Sequence, residues 1–386
     1  MLQTLAVLNY RTLRDFVIPL GSLNLISGAN GSGKSNIYKA LRLLAETAQG
    51  GVVASLAREG GLSSTLWAGP EAISRAMKRG DTAVEGTRRK KPISLSLGFA
   101  GSEFSYSIDL GLPTPSSSQF SLDPVIKGEF VWSGPFARPA TMLVERRGAM
   151  VRTRGDDGEW QVVNQHLADF DSMLSQIADA RRAPELYFLR EQIRSWRFYD
   201  HFRTDALAPA RMPQIGTHTP VLAHDGTDLA AALQTIREIG DARALDDAVN
   251  DAFPGSSGTM ENQDGRFETT MRQHGLLRPL KAIELSDGTL RYLLLIAALL
   301  SPRPPALLVL NEPETSLHPD LLPALGRLII KAAQRSQVFV VSHATRLIAA
   351  LEENCSESIT LEKEFGETSI RTQGVLERPT WHWIAR

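Results

Sequence analysis

Residues 28–35 read Gly28-Ala29-Asn30-Gly31-Ser32-Gly33-Lys34-Ser35, and this octet constrains the chain more than any other part of it. It is a complete G-x-x-x-x-G-K-S phosphate loop. Leu23-Asn24-Leu25-Ile26 before it alternates apolar and polar like a strand, and Ile37, Ala40, Leu41, Leu44 and Ala48 after it recur at helical spacing. Strand, glycine-rich turn and helix together give the pattern a mechanism. Glycines let backbone N–H groups curl around the β- and γ-phosphates, and the helix N-terminus adds a favourable dipole. Lys34 brings a point charge to the same oxygens, and the Ser35 hydroxyl can ligate Mg²⁺. The expectation is an α/β fold that binds a nucleoside triphosphate at a strand-to-helix turn.

Bulk properties narrow the class of binder. A length of 386 residues leaves room for two or three core-bearing units. The net charge of −1 supplies no global basic field for nucleic acid or an anionic membrane. One cysteine, Cys355, excludes an intrachain disulfide framework and any multi-cysteine zinc site. Arg11 and Arg14 interrupt the apolar N-terminus, against a signal peptide, and the run Leu293 to Leu300 is too short to span a bilayer. A cytoplasmic location with no membrane partner is expected.

The C-terminal third carries the second half of a nucleotide machine. Ala306-Leu307-Leu308-Val309-Leu310 is a continuous apolar run, suited to a parallel strand buried on both faces. It ends in Asn311-Glu312-Pro313-Glu314, polar groups at the carboxyl end of the strand, where ligands bind in open α/β sheets. A carboxylate there can orient and deprotonate a water that attacks the γ-phosphate, while its neighbour holds the magnesium shell. Pro319-Asp320 is expected to open a helix with Leu321, Leu325, Leu328 and Ile329 as its apolar stripe. A second buried strand, Val338 to Val341, ends in Ser342-His343. Upstream, Leu285-Ser286-Asp287-Gly288-Thr289 precedes the apolar helix Leu290 to Leu300. Ser286 or Asp287 can cap that helix, and a capped helix N-terminus with a glycine is also a good anion seat.

In this order the four elements resemble the ATP-binding-cassette (ABC) ATPases. The similarity is to the RecF, structural-maintenance-of-chromosomes (SMC) and overcoming-lysogenization-defect (OLD) branch rather than to transporter subunits, and it covers residues 1–50 and 276–350. Leu8-Asn9-Tyr10-Arg11-Thr12-Leu13 resembles the opening strand of that branch, Leu285 to Gly288 its signature motif, and Asn311 to Pro319 its Walker B strand end and D-loop. Ser342-His343 resembles its switch histidine. The resemblance implies an ABC-type P-loop head with a mixed or parallel sheet, an antiparallel β-subdomain and a helical insertion. It also implies an ATP- and Mg²⁺-dependent homodimer. Gly28, Ala29, Asn30, Gly31, Ser32, Gly33, Lys34, Ser35 and Asn36 would hold the nucleotide, and Ser286 and Gly288 would contact the γ-phosphate bound by the partner. Glu312 would be the general base, His343 the γ-phosphate sensor, and Ser35 and Asn311 the metal residues. Asn311 stands where this class has an aspartate, and Asp287 where transporter signatures have a glycine. Gln119, Gln161 and Gln165 are candidates for the glutamine that reaches Mg²⁺ in this class.

The expected organisation is an N-terminal head part over residues 1–60, a basic loop and β-rich subdomain over 61–165, a mainly helical insertion over 166–275, and a C-terminal head part over 276–386. Ile93 to Leu97 and Phe104 to Ile108 alternate strictly around Gly101-Ser102, which predicts a hairpin, and residues 141–163 predict another turning at Gly155-Asp156-Asp157-Gly158. Leu167, Phe170, Leu174 and Ile177 fall at helical spacing, as do Leu229, Leu233 and Ile236. No heptad persists over several turns, so long coiled-coil arms are not expected, and the segment after His343 is too short for a Toprim nuclease domain. From Arg75 to Lys91 there are seven basic residues and no aromatic one, which reads as a solvated loop or a phosphate-backbone contact without base stacking. Trp381 and Trp383 read as packing residues. The functional expectation is an ATP-hydrolysing switch in DNA repair, genome maintenance or defence against mobile elements, acting with DNA and a separately encoded effector protein. The alternative is a nucleotide-gated scaffold that hydrolyses slowly or not at all; Asn311 favours it.

Overall fold

A computed structural model describes residues 1–71, 74–79, 81, 89, 93–114, 117–155, 157–371 and 378–384. Most of the basic segment from Arg75 to Lys91 lies outside them. Its Arg89 is described, and its guanidinium donates to the carbonyls of Trp67 and Gly69. The chain forms two compact units: residues 1–21, 28–195 and 359–386 make the first, residues 22–27 and 196–358 the second.

The first unit opens with β1 (Leu2–Tyr10) and β2 (Leu13–Pro19). The chain then leaves through β3 (Leu23–Gly28) and returns as α1 (Lys34–Thr47), α2 (Val52–Arg58), α3 (Leu62–Thr65) and α4 (Arg75–Lys78). Six strands follow: β4 (Leu95–Gly101), β5 (Phe104–Gly111), β6 (Val125–Ser133), β7 (Met142–Arg147), β8 (Met150–Arg154) and β9 (Trp160–Asn164). With β1 and β2 they form one antiparallel eight-stranded sheet in the order β2-β1-β4-β5-β6-β7-β8-β9. The first predicted hairpin is present in it, Leu97 pairing with Ile108; residues 141–163, expected as one pair, instead form three strands, β7, β8 and β9, with Arg154 opposite Trp160. Trp132 and Trp381 pack with ring centroids 5.6 Å apart, so Trp381 is a packing residue.

The helix expected from the spacing of Leu167, Phe170, Leu174 and Ile177 does not form as such. Only α5 (Met173–Gln176) is helical there, before α6 (Pro184–Arg194), and Phe170 is exposed. The reason is a buried ion pair. Arg146 and Glu129 are both fully buried and 2.8 Å apart. Arg146 also takes the carbonyls of Ala168 and Asp171, while Glu129 accepts from the Ser172 hydroxyl at 2.5 Å and the Met173 amide at 2.8 Å. A buried charge must be paired and fully hydrogen-bonded, and here the pair takes the backbone groups that a longer helix would have used.

The second unit runs through β10 (Arg197–Tyr199), a 3₁₀ turn Pro209–Arg211, β11 (Gln214–Ile215), α7 (Leu229–Ile239) and α8 (Ala242–Ala252). The segment read as a mainly helical insertion is thus broken by strands, and β12 (Ser257–Gln263), β13 (Arg266–Arg272) and β14 (Leu280–Lys281) continue it as a small antiparallel sheet with β11. Then come a 3₁₀ turn Ala282–Glu284, α9 (Asp287–Leu299), β15 (Leu307–Asn311), a 3₁₀ turn Pro319–Leu321, α10 (Leu322–Ala332), β16 (Gln337–Val341) and α11 (Thr345–Glu352). Pro319 therefore opens a 3₁₀ turn, and the α-helix begins three residues later. β17 (Glu357–Glu364) and β18 (Glu367–Ile370), which lie in the first unit from residue 359 on, form an antiparallel hairpin.

The core of the second unit is a parallel sheet in the order β10-β15-β16-β3. Leu307 to Leu310 and Val338 to Val341 are all buried, as strands covered on both faces require. Every residue of α9 from Leu290 to Leu299 is buried, which explains why this helix has no polar stripe. Among the described residues no helix is longer than the 14 residues of α1, and none is long and apolar enough to cross a membrane.

Candidate functional site

The register of the parallel strands puts three carboxyl ends level. Asn311 pairs with Val341, and Val341 pairs with Ile26, after which the chain runs directly into the phosphate loop. The amide of Ser342 donates to the Ile26 carbonyl at 3.0 Å, and that of Glu312 to the Val341 carbonyl at 2.8 Å. This is the sheet edge at which α/β proteins bind ligands.

In the phosphate loop Ala29, Asn30 and Gly31 are exposed, whereas Ser32, Gly33 and Lys34 are buried. Gly33 is the N-cap of α1 with φ +107°, and Gly28 has φ +143°. A Cβ at Gly33 would lie 2.1 Å from Thr368 Oγ1, and one at Gly28 would lie 2.6 Å from the Leu361 carbonyl oxygen, so both positions require glycine. The Lys34 ammonium donates to the carbonyls of Gly28 at 2.6 Å and Ala29 at 3.0 Å, which curls the loop around the cation. Ser35 is exposed in the first turn of α1, where leading N–H groups have no intrahelical acceptor. Ser32 Oγ is buried without a hydrogen-bond partner. Residues so arranged fit an anionic phosphate chain.

The loop is braced by residues that no motif marks. Thr368 on β18 donates to the Ser32 carbonyl at 2.8 Å and shares a hydrogen bond with Thr12 at 2.7 Å. Asn36 donates through Nδ2 to Thr12 Oγ1 at 2.7 Å. Thr12 lies in the β1–β2 turn next to Arg11, which has positive φ as does Asn9 near the end of β1, and Glu59 accepts from Tyr10 and Arg11. Burial raises the Glu59 pKa, but the hydrogen bonds from Arg11 and Tyr10 and the charges of Arg11 and Lys39 outweigh it and hold the carboxyl below its ordinary value.

At the end of β15 the two carboxylates have different surroundings. Glu314 is buried, and its Oε1 accepts from Ser342 Oγ at 2.8 Å, the His343 amide at 3.0 Å and the Ala344 amide at 3.3 Å. Its Oε2 is buried without a partner. Glu312 is 38% exposed, sits at φ +48°, and lies 3.6 Å from His343 Nδ1. Non-glycine residues at positive φ are uncommon and concentrate at functional sites; Ser316, with φ +64°, is a second one in this segment. The amide oxygen of Asn311 is buried and unpartnered, a neutral oxygen donor of the kind Mg²⁺ accepts. No cluster of three His, Cys, Asp or Glu side chains that could hold a metal ion occurs among the described residues.

In the segment 285–289 Ser286 is the N-cap of α9, its Oγ accepting from the Thr289 amide at 3.1 Å. A Cβ on Gly288 would lie 2.9 Å from the Ser316 carbonyl oxygen, so this glycine permits close backbone approach. One turn further on, Arg291 is buried with Nε unpartnered. Burial lowers its pKa, opposed by the charges of Glu314 and Asp200. Gln119 lies in the loop after β5, Gln161 on β9 and Gln165 just beyond it, all three exposed. The sequence reading missed Glu314 as an anchor, Arg291, and the Thr12–Asn36–Thr368 brace; a hydrogen bond between distant segments has no local periodicity to reveal it.

A search of the curated proteins returned no match. Among solved structures, the chain is similar to an SMC head bound to the C-winged-helix domain of ScpA, with TM-score 0.51, 14% identity, and coverage of 97% of this chain and 99% of that one. An SMC head domain from Thermotoga maritima aligns with TM-score 0.43 and 15% identity over 97% and 99% of the two chains. The first likeness shows the fold. Residues 23–349 match the family described as "AAA domain, putative AbiEii toxin, Type IV TA system". The chain belongs to that AAA family, and its fold is like that of an SMC head.

Proposed function

We propose that the chain hydrolyses ATP to ADP and phosphate and that ATP-driven dimerisation acts as its switch. The observation that carries this reading is the division of labour at the end of β15: Glu314, buried, accepts from the backbone of the segment that bears His343, Glu312 stays accessible, and the His343 ring lies within 3.6 Å of both carboxylates. In the proposed reaction Glu312 accepts a proton from the water that attacks the γ-phosphorus, and the bond to the β–γ bridging oxygen breaks as ADP leaves. Lys34 and His343 offset the charge that builds on the γ-phosphate oxygens. Bound Mg²⁺ supplies charge screening of the phosphates, and the Ser35 hydroxyl and the Asn311 amide oxygen are the groups that would hold it. Ser286 and Gly288 would contact the nucleotide of a partner subunit. The biological role we infer is tied to nucleic acid, in repair, genome maintenance or defence, beside a separately encoded effector protein. The family description, which names a toxin of a type IV toxin–antitoxin system, supports defence.

Asn311 supports a second reading, a nucleotide-gated scaffold with little turnover, because its amide brings no negative charge to the metal shell. Phosphate release across a Mg²⁺ titration, with and without duplex DNA, separates the two when wild type is compared with Asn311→Asp. A working hydrolase changes only a few-fold on substitution. A scaffold gains roughly tenfold or more, about 1.4 kcal/mol of barrier. An inactive wild type rescued by aspartate would sink the hydrolase reading.

A further inference from the structure

Arg211 closes the 3₁₀ turn Pro209–Arg211 and is 5% exposed. Its Nη1 donates to the carbonyls of Ala282 and Leu285, both at 2.7 Å. Its Nη2 donates to Asp287 Oδ1 at 2.7 Å and to the Thr204 carbonyl at 2.8 Å, and Nε is shared between the carbonyls of Thr204 at 3.0 Å and Asp205 at 3.1 Å. A guanidinium has five N–H donors in a rigid fork, and here all five have acceptors. Three of those acceptors, on Ala282, Leu285 and Asp287, bracket Ser286.

The bracket holds a bend. Leu285 and Ser286 are extended, with ψ of 144° and 156°, and the helix begins at the next residue. From the other side, the Ser316 carbonyl stands where a Cβ on Gly288 would be. Asp287 is 61% exposed, yet its carboxylate is tied to Arg211. A free carboxylate at this position would repel a triphosphate; one paired with a buried guanidinium does so far less.

We propose that Arg211 is the positioning residue of the signature segment. It fixes the Leu285–Gly288 backbone so that Ser286 and the α9 N-terminus meet a partner subunit's nucleotide, and Asp287 serves this clamp rather than the nucleotide. The proposal depends on the ATP-driven dimer proposed above.

The test uses Asp287→Ala, which removes an exposed side chain, alongside Asp287→Asn and Arg211→Gln, with melting temperatures recorded for all. ATP-dependent dimerisation is read by light scattering, and binding of a non-hydrolysable ATP analogue by calorimetry. Asp287→Ala should raise the dimerisation midpoint about tenfold while analogue affinity of the isolated subunit stays within twofold, and Asp287→Asn, whose amide oxygen still accepts from Nη2, should recover most of the loss. At a concentration too low for Asp287→Ala or Arg211→Gln to dimerise alone, mixing either with Lys34→Ala should restore activity, because the Lys34→Ala subunit brings an intact signature to the variant's intact phosphate loop. A merely destabilised fold would not be complemented in this way. Ser286→Arg mixed with Lys34→Ala is the control. If the control complements but Asp287→Ala and Arg211→Gln dimerise like wild type, the clamp is wrong and the dimer stands. Failure of the control to complement overturns both.

Discussion

Glu312 and Glu314 stand two positions apart on one strand end, and burial separates their tasks. Three donors converge on one oxygen of Glu314, so its charge is committed to the turn after β16. Glu312 keeps an exposed carboxylate on a strained backbone, free to meet a water. Glu312→Gln should therefore slow phosphate release by about 10²-fold, the range a positioned general base supplies, with no change in melting temperature. Glu314→Gln weakens charge-assisted hydrogen bonds instead, and should lower the melting temperature by roughly 2 °C with a smaller loss of turnover. The opposite ranking in a phosphate-release assay would move the base to Glu314.

At the scale of elements, the hairpin of β17 and β18 does for the phosphate loop what Glu314 does for the turn after β16. Thr368 fills the space over Gly33 and ties the Ser32 carbonyl to the β1–β2 turn. Thr368→Val keeps the volume and deletes two hydrogen bonds, each worth about 0.5–1.5 kcal/mol. Calorimetry with an ATP analogue should show affinity lowered about fivefold or more, with Thr368→Ser close to wild type. Equal affinities in all three proteins would leave the hairpin as a cover without a role in shaping the loop. The Glu129–Arg146 pair works by the same logic on another segment, holding residues 168–173 against the antiparallel sheet.

For the whole molecule, the proposed switch is a change of assembly state. Lys34 is central to that proposal: its ammonium curls the loop, and in this reading it would supply the cation for the phosphates. ATP should convert monomer to dimer in size-exclusion light scattering of wild type, and more completely in Glu312→Gln. In Lys34→Ala the dimer should be absent and analogue affinity lower by about 10²-fold, or roughly 2.7 kcal/mol. Affinity within twofold of wild type would remove the phosphate-loop assignment.

What the sequence determined by itself is whatever has a short period or a fixed spacing. The phosphate loop between strand and helix, the apolar runs that became β15 and β16, and the alternating strands on either side of Gly101-Ser102 were all legible, because side-chain direction in a strand or helix repeats over two to four residues. The tertiary structure decided where a side chain binds the backbone of a distant segment. Arg146 reaches 22 residues to Ala168 and cancels a helix that spacing had suggested. Glu314 reaches 29 residues to the His343 amide, Arg211 reaches 74 to the Leu285 carbonyl, and Thr368 reaches 336 to the Ser32 carbonyl. Such bonds leave no periodic trace, because a single buried polar group is satisfied by whichever partner the fold brings to it, however far away in the chain.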